Sequence, residues 1–276
     1  LPNHYKNRVS DHFSAASICY ASKAVLQNYV SDKLFSFFCE YVANPSLIID
    51  LGCGDGRFSS AVRNKYPQAE VVNLDISYGM CLQSSKKQSS EKSYTVNADA
   101  EYLPFRDAAF DALFSSLMIQ WLGDPAICFE QIHNVVKSGG RIAISTFLDG
   151  TLSELSRALL HATGKPRVLE FKTMQFMENI CAQSGFTVLC AESEIRTERY
   201  TDMYDLLKEM RVIGAKSKAT AMDGFVGKQS FQRAAEYYSQ NFSDNHPGNH
   251  SGNGDNDDGK KIVATWHIGY LVIQKL

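Results

Sequence analysis

The chain has no run of about 18 apolar residues, so no segment reads as a membrane-spanning helix. Its first stretch, "LPNHYKNRVSDHF", lacks the apolar core of a secretory signal, and a soluble protein is expected. An excess of one charge is also missing. With 28 basic and 30 acidic residues the net charge is −2, which excludes recognition of nucleic acid or anionic membrane by bulk attraction. Seven cysteines, at positions 19, 39, 53, 81, 128, 181 and 190, contain no Cys-x-x-Cys pair. An odd, scattered set argues against a disulfide framework and for a reducing, cytoplasmic compartment. The seven histidines form no His-Glu-x-x-His and none stands at zinc-finger spacing from a cysteine, so no metal site is expected. No internal repeat is visible.

What is present is an alternation. Between residues 47 and 147, the strand-like runs "LIIDLG", "AEVVNLD", "SYTVNA", "FDALFSS" and "RIAISTF" are separated mostly by amphipathic stretches. This predicts a parallel sheet with helices on both faces. Ser138, Gly139 and Gly140 read as a helix stop and tight turn before the fifth strand. Residues 10 to 43 read as two helices covering one edge. After the sheet block, "TLSE" at 151 to 154 has the form of a capping box opening a helix that ends near Gly164. A further helix is expected in "TDMYDLLKEMRVIGA". Residues 241 to 261, dense in Gly, Asn, Asp and Ser, predict a polar surface loop, and "IVATWHIGYLVIQKL" a final buried strand. His133, mid-helix among apolar neighbours, reads as structural.

The stretch "LIIDLGCGDGRFSS" places Gly52, Gly54 and Gly56 at a strand-to-helix turn. Glycines there let backbone approach a ligand, and the helix N-terminus offers free N–H groups. Arg57 stands where a dinucleotide fingerprint wants its third glycine, which disfavours a nicotinamide dehydrogenase. Asp75 ends the second strand, where a carboxylate accepts from ribose hydroxyls. Asp99 follows the third strand and is placed to receive an adenine amino group; Ser115 and Ser116 end the fourth and face the cofactor's polar tail.

This ordered set resembles the class I S-adenosylmethionine-dependent methyltransferases. The resemblance implies an α/β, Rossmann-like fold with a mostly parallel seven-stranded sheet, a final antiparallel strand and helices on both faces. It also implies an N-terminal helical lid (1–46) on a methyltransferase domain (47–276) with a helical insertion at about 151–218 after the fifth strand. By the same resemblance Asp50, Gly52 and Gly54 lie along the methionine part, Asp75 on the ribose and Ile76 beside the adenine. Asp99 and Ala100 then flank the adenine's other edge, and Ser115 meets the methionine amine through its backbone.

Flanking stretches narrow the resemblance. "FSAASICYASKAVLQ", "SSLMIQWLGDP", "STFLDGTLSELSRA", "LLKEMRVIGAKS" and "WHIGYLVI" are similar to the malonyl-acyl-carrier-protein O-methyltransferases of the biotin pathway. The chain departs from that pattern at Ala15, where the family has a basic residue, and in its longer 241–261 loop. The implied reaction methylates the free carboxylate of a malonyl thioester on acyl carrier protein, carried by its phosphopantetheine arm. Such an acid asks for a cation, and Lys208 and Arg211 share one helical face, Arg211 being the expected partner. Tyr20 and Gln27 are implied as parts of a lid over the cofactor, with Trp121 covering its edge. An acidic carrier asks for a basic docking surface, offered by Lys165, Arg167 and Lys172 or by Lys216 and Lys218. A monomer is expected. The alternatives are a methyltransferase for another small carboxylate or a quinone precursor, and a non-methylating assembly factor of the same fold.

Overall fold

The computed structural model describes residues 3–87, 92–165, 168–212, 227–243 and 262–276. Two helices come first, α1 (Asn3–Lys23) and α2 (Val25–Tyr41), interrupted only at Ala24. The strand-like runs then fold as β1 (Leu47–Leu51), β2 (Glu70–Asp75), β3 (Ser93–Asn97), β4 (Phe110–Ser116) and β5 (Val136–Phe147). Between them lie α3 (Arg57–Lys65), α4 (Tyr78–Lys87), a single 3-10 turn (Ile119–Trp121) and α5 (Pro125–Val135). Beyond β5 come α6 (Ser153–Thr163), α7 (Met174–Gln183), β6 (Phe186–Tyr200), α8 (Met203–Val212), α9 (Lys228–Asn241) and β7 (Ile262–Lys275).

The sheet order is β3-β2-β1-β4-β5-β7-β6. β1 to β5 pair in parallel, and β7 enters antiparallel between β5 and β6. Burial on both faces explains the continuous apolar runs. Ile48, Ala112 and Phe114 pack with Leu34, Phe38 and Phe58 on one face, while Ile49, Leu51 and Leu113 pack with Phe129 and Ile132 on the other. The parallel strands end at one edge, and the loops leaving β1, β2, β3 and β4 gather there.

Three local expectations change. The residues Ser138 to Gly140 are not a turn ahead of β5 but lie within it. Val136 pairs with Phe110 and Arg141 with Ala112, so the intervening residues bulge, with Gly139 at φ 75°. The "TLSE" box does not cap α6. Thr151 Oγ1 instead donates to His267 O and accepts from His267 N, while Glu154 accepts from the backbone and hydroxyl of Thr265. Both side chains serve to dock the helix entry on β7. The span 151–218 is not wholly helical, since it contains the edge strand β6, whose exposed, charged residues in "AESEIRTERY" hide a strand paired to β7 along its length.

Gly164 caps α6 in the left-handed region as expected. The polar loop lies outside the described residues beyond Ser243, as do Arg167, Lys216 and Lys218. Among the described residues no helix is long and apolar enough to cross a membrane, and no group of three or more His, Cys, Asp or Glu could hold a metal.

Candidate functional site

The loop after β1 is built by its glycines. Gly52, Gly54 and Gly56 all have left-handed backbone, at φ 78°, 53° and 79°. The N–H groups of Gly52 and Cys53 both donate to Leu74 O of β2, at 2.8 and 3.0 Å, which pins the loop at the sheet edge. A Cβ on Gly52 would stand 2.4 Å from Met118 Cγ, and one on Gly56 2.7 Å from Ser84 Oγ. At Gly54 the nearest atom would be Tyr20 Cε1, 4.0 Å away, so this glycine alone faces open space.

Three carboxylates surround the loop. Asp50 is 2% exposed, and its Oδ2 has no hydrogen-bond donor. Burial, with the charges of Asp75 and Asp55 added, pushes its carboxyl well above the usual range. Asp75 accepts from Gly54 N through Oδ2 (3.0 Å) and from Ser77 N through Oδ1 (2.8 Å). Burial raises its pKa to about 6 against the lowering effect of those two N–H groups. Asp55 pairs with Lys87 at 2.5 Å.

A cavity opens at the same edge, with about 770 Å³ of empty space including its open mouth. Gly52, Gly54, Asp75, Ile76, Asp99 and Ala100 line it together with Tyr20, Ser116 and Trp121, which brings together nine of the residues expected from the sequence. Asp50 and Gln27 line an adjoining cleft with Asp55 and Arg57. A second chamber of about 560 Å³ shares Phe13, Tyr20, Leu117 and Trp121 with the first. These four form the partition between the two spaces. The remainder of the second chamber is mostly aromatic and aliphatic, including Phe147, Phe171, Met210 and Trp266; among the described lining residues the polar side chains besides Tyr20 and the two tryptophan indoles are Gln27 and Gln120. Among its described lining residues none is charged. Gln120 is held by Nε2 donating to Leu117 O (2.7 Å) and Oε1 accepting from Thr146 Oγ1 (3.1 Å).

Several expected residues sit elsewhere. Lys208 and Arg211 are exposed on α8, while Leu206, Leu207 and Met210 face inward, and Met210 is the residue of that helix lining the second chamber. The helical face that carries the cations is the solvent face, and neither Lys208 nor Arg211 is among the described residues lining the two chambers. Ser115 is fully buried and its hydroxyl donates to Leu51 O at 2.8 Å, tying β4 to β1. Its neighbour Ser116 lines the cavity with its side chain, as strand alternation requires, while the contact expected of Ser115 is a backbone one that its buried hydroxyl does not bear on. Lys165 and Lys172 are both exposed, Lys172 lying 5.5 Å from the Phe176 ring centroid. His133 packs edge-on against Phe186, and burial, then the Lys275 charge, lowers its pKa.

Sequence reasoning missed Lys6, Val9, Met118 and Trp266. Lys6, Val9, Phe13 and Tyr20 recur at intervals of three, four and seven along α1, so one helix face supplies a wall of the cavity. That periodicity was available, but its residues are too mixed in character to read as one face.

Residues 49–144 match the family model described as a methyltransferase domain. The chain is 31% identical over 239 residues to the malonyl-[acyl-carrier protein] O-methyltransferase of Herminiimonas arsenicoxydans, covering 86% of this chain and 89% of that one. It is 29% identical over 272 residues to the enzyme of the same name from Hahella chejuensis, covering 98% and 91%. A solved structure of phosphoethanolamine N-methyltransferase 2 from Haemonchus contortus, in complex with phosphomonomethylethanolamine and S-adenosylhomocysteine, superposes with a TM-score of 0.53 at 19% identity. It covers 88% of this chain and 52% of that one, and shares the fold alone.

Proposed function

Because the chain belongs to the malonyl-[acyl-carrier protein] O-methyltransferase family, and so is an S-adenosylmethionine-dependent methyltransferase, we propose that its acceptor is the free carboxylate of a malonyl thioester. The thioester is borne by acyl carrier protein, and the product is the malonyl methyl ester that primes pimeloyl synthesis toward biotin. The observation behind this reading is the pair of chambers meeting at one wall, an acidic glycine-floored cavity and an aromatic one with no charged side chain among its described lining residues.

The first cavity and the cleft adjoining it fit the methyl donor. In that cleft the orphaned, buried Oδ2 of Asp50 asks for a cation, which the methionine ammonium provides. Asp75 keeps lone pairs for ribose hydroxyls beyond the two it gives to backbone, and Ile76 and Ala100 suit a flat apolar base. When bound, S-adenosylmethionine supplies a methyl group made electrophilic by a sulfonium centre.

The second chamber suits an acid. A carboxyl group with a pKa of about 4 is ionised near neutrality, so the nucleophile needs no general base. Its negative charge is lost as the ester forms, and a full salt bridge would stabilise the reactant more than the transition state. Neutral donors avoid that loss: Tyr20 and Gln27 orient the carboxylate, and the aromatic walls strip its water. On this reading Arg211→Ala leaves kcat/KM for a malonyl thioester within about twofold, measured in steady state. A loss of more than about tenfold would restore the cation to the site.

Cofactor affinity should depend on pH through Asp75. Its pKa of about 6 in the free protein lies above the ordinary 3.8, and ribose hydroxyls favour the ionised form, so binding draws that pKa down. Affinity is therefore full above pH 6 and declines below it, by about tenfold between pH 7 and pH 5. Calorimetric titration with S-adenosylhomocysteine across that range checks the slope, which Asp75→Asn should flatten.

The test of the acceptor is transfer of labelled methyl to malonyl-loaded carrier protein beside succinyl- and acetyl-loaded controls. Labelling confined to the malonyl form is expected. Equal labelling of the succinyl form would widen the substrate to short diacids, and labelling of none would defeat the proposal.

A further inference from the structure

Lys6 lies near the start of α1, 93 residues from its first partner, and joins two carboxylates in the loop after β3. Its Nζ is 2.6 Å from Asp99 Oδ2 and 2.5 Å from Glu101 Oε2. The three side chains are largely covered, at 14% exposure for Lys6, 26% for Asp99 and 4% for Glu101. All three line the cofactor cavity. The other oxygens are placed too: Asp99 Oδ1 accepts from Glu101 N (3.0 Å), and Glu101 Oε1 accepts from Gly123 N (3.1 Å). The Lys6 ammonium also sits 5.3 Å from the Tyr102 ring centroid.

Two carboxylates two residues apart in a cavity wall repel each other, and a cation between them removes the repulsion. Burial disfavours the Lys6 charge, but its hydrogen bonds to Asp99 and Glu101 and their charges outweigh that and hold its pKa above the ordinary value. Without Lys6, the more exposed Asp99 turns to solvent, away from the charge of Glu101. With Lys6, each Asp99 oxygen has one bond made and a lone pair left for a ligand.

We propose that Lys6 is a positioning residue for the cofactor: it holds Asp99 in the cavity wall in the orientation that accepts a donor from the adenine base. The proposal rests on the S-adenosylmethionine assignment and not on the acceptor. It also makes α1 part of the binding site. Ser10 Oγ of the same helix donates to Ile76 O (2.9 Å), and Ser14 Oγ meets Ser77 Oγ at 2.8 Å, so α1 is fastened along the loops after both β2 and β3.

The test is a double-variant cycle on the full chain, read as S-adenosylhomocysteine affinity by calorimetry. Binding by the native chain comes first; its failure overturns the cofactor assignment and this proposal together. Lys6→Met is expected to weaken binding about tenfold, within the range for a lost charge-assisted hydrogen bond. Asp99→Asn should weaken it similarly. The combined variant should then be no more than about twofold weaker than Asp99→Asn, because Lys6 acts through Asp99. Losses that multiply would show Lys6 acting independently and overturn the proposal, as would an unchanged affinity in Lys6→Met. Lys6→Arg, which keeps the charge, should bind within about threefold of native, and an Arg variant as weak as Met also overturns it. If Lys6→Met does not fold, the cycle is run with Glu101→Gln throughout, which removes the carboxylate left buried and unpaired.

Discussion

Gly52→Ala should abolish measurable cofactor binding, with at least a 100-fold loss of S-adenosylhomocysteine affinity by calorimetry and a fall in melting temperature. Two effects combine. An L-residue in the left-handed region costs about 1–2 kcal/mol, and the new methyl would press on Met118 at 2.4 Å, adding about 1–3 kcal/mol of overpacking. Met118 lines the cofactor cavity, so relieving the clash pushes its side chain into the space the ligand needs.

Two other glycines separate the causes. Gly54→Ala keeps the backbone strain but has its nearest neighbour at 4.0 Å, so stability should fall by about 1–2 kcal/mol while the added methyl blocks the cavity. Gly164→Ala, at the end of α6 and lining neither cavity, has nothing within 4 Å and should lower stability by a similar amount with affinity unchanged. An affinity for Gly52→Ala close to native, with only its melting temperature lowered, would mean that the loop is scaffold and not binding surface.

The parts of this molecule legible in its sequence are those where one local rule acts alone. Buried parallel strands are continuous apolar runs, and glycines at a strand-to-helix turn have few other uses, so the sheet edge and the loop after β1 could be read directly. β6 could not be read, because an edge strand keeps one face and one side in solvent and its "ESEIRTER" stretch has the composition of a surface helix or loop. Thr151 and Glu154 have capping-box spacing, but the antiparallel entry of β7 beside them offers better partners, and a contact across more than a hundred residues overrules a local one.

The same limit governs the site. Lys208 and Arg211 are correctly placed on one helical face, yet periodicity does not say which face turns inward; Leu206, Leu207 and Met210 decide that. Lys6 meets Asp99 only because α1 crosses the ends of β2 and β3, a juxtaposition no motif records. Ser115 and Ser116 differ by a single position of strand alternation, and the register of β4 between β1 and β5 settles which of them sees the cavity.

Tyr20→Phe isolates the chemistry that distinguishes the two chambers. The tyrosine stands in the partition and lines both spaces. Burial, reinforced by the carboxylates of Asp55 and Asp75, pushes its phenol pKa far above neutrality, so the side chain is a hydrogen-bond donor and not a phenolate base at any working pH. Phenylalanine preserves the ring, and with it the wall and the contact near Gly54, and removes only the hydroxyl. Cofactor affinity should therefore stay within about threefold. Turnover on the malonyl thioester should fall, since a donor to a charged acceptor contributes about 1.5–3 kcal/mol, which is roughly a 10- to 150-fold loss in kcat/KM. The pH profile should keep its shape, because the group removed never titrates. A native profile that rises with pH through the alkaline range, with that rise lost in the variant, would instead identify Tyr20 as a proton acceptor, and would mean that the nucleophile is a protonated group and not a carboxylate.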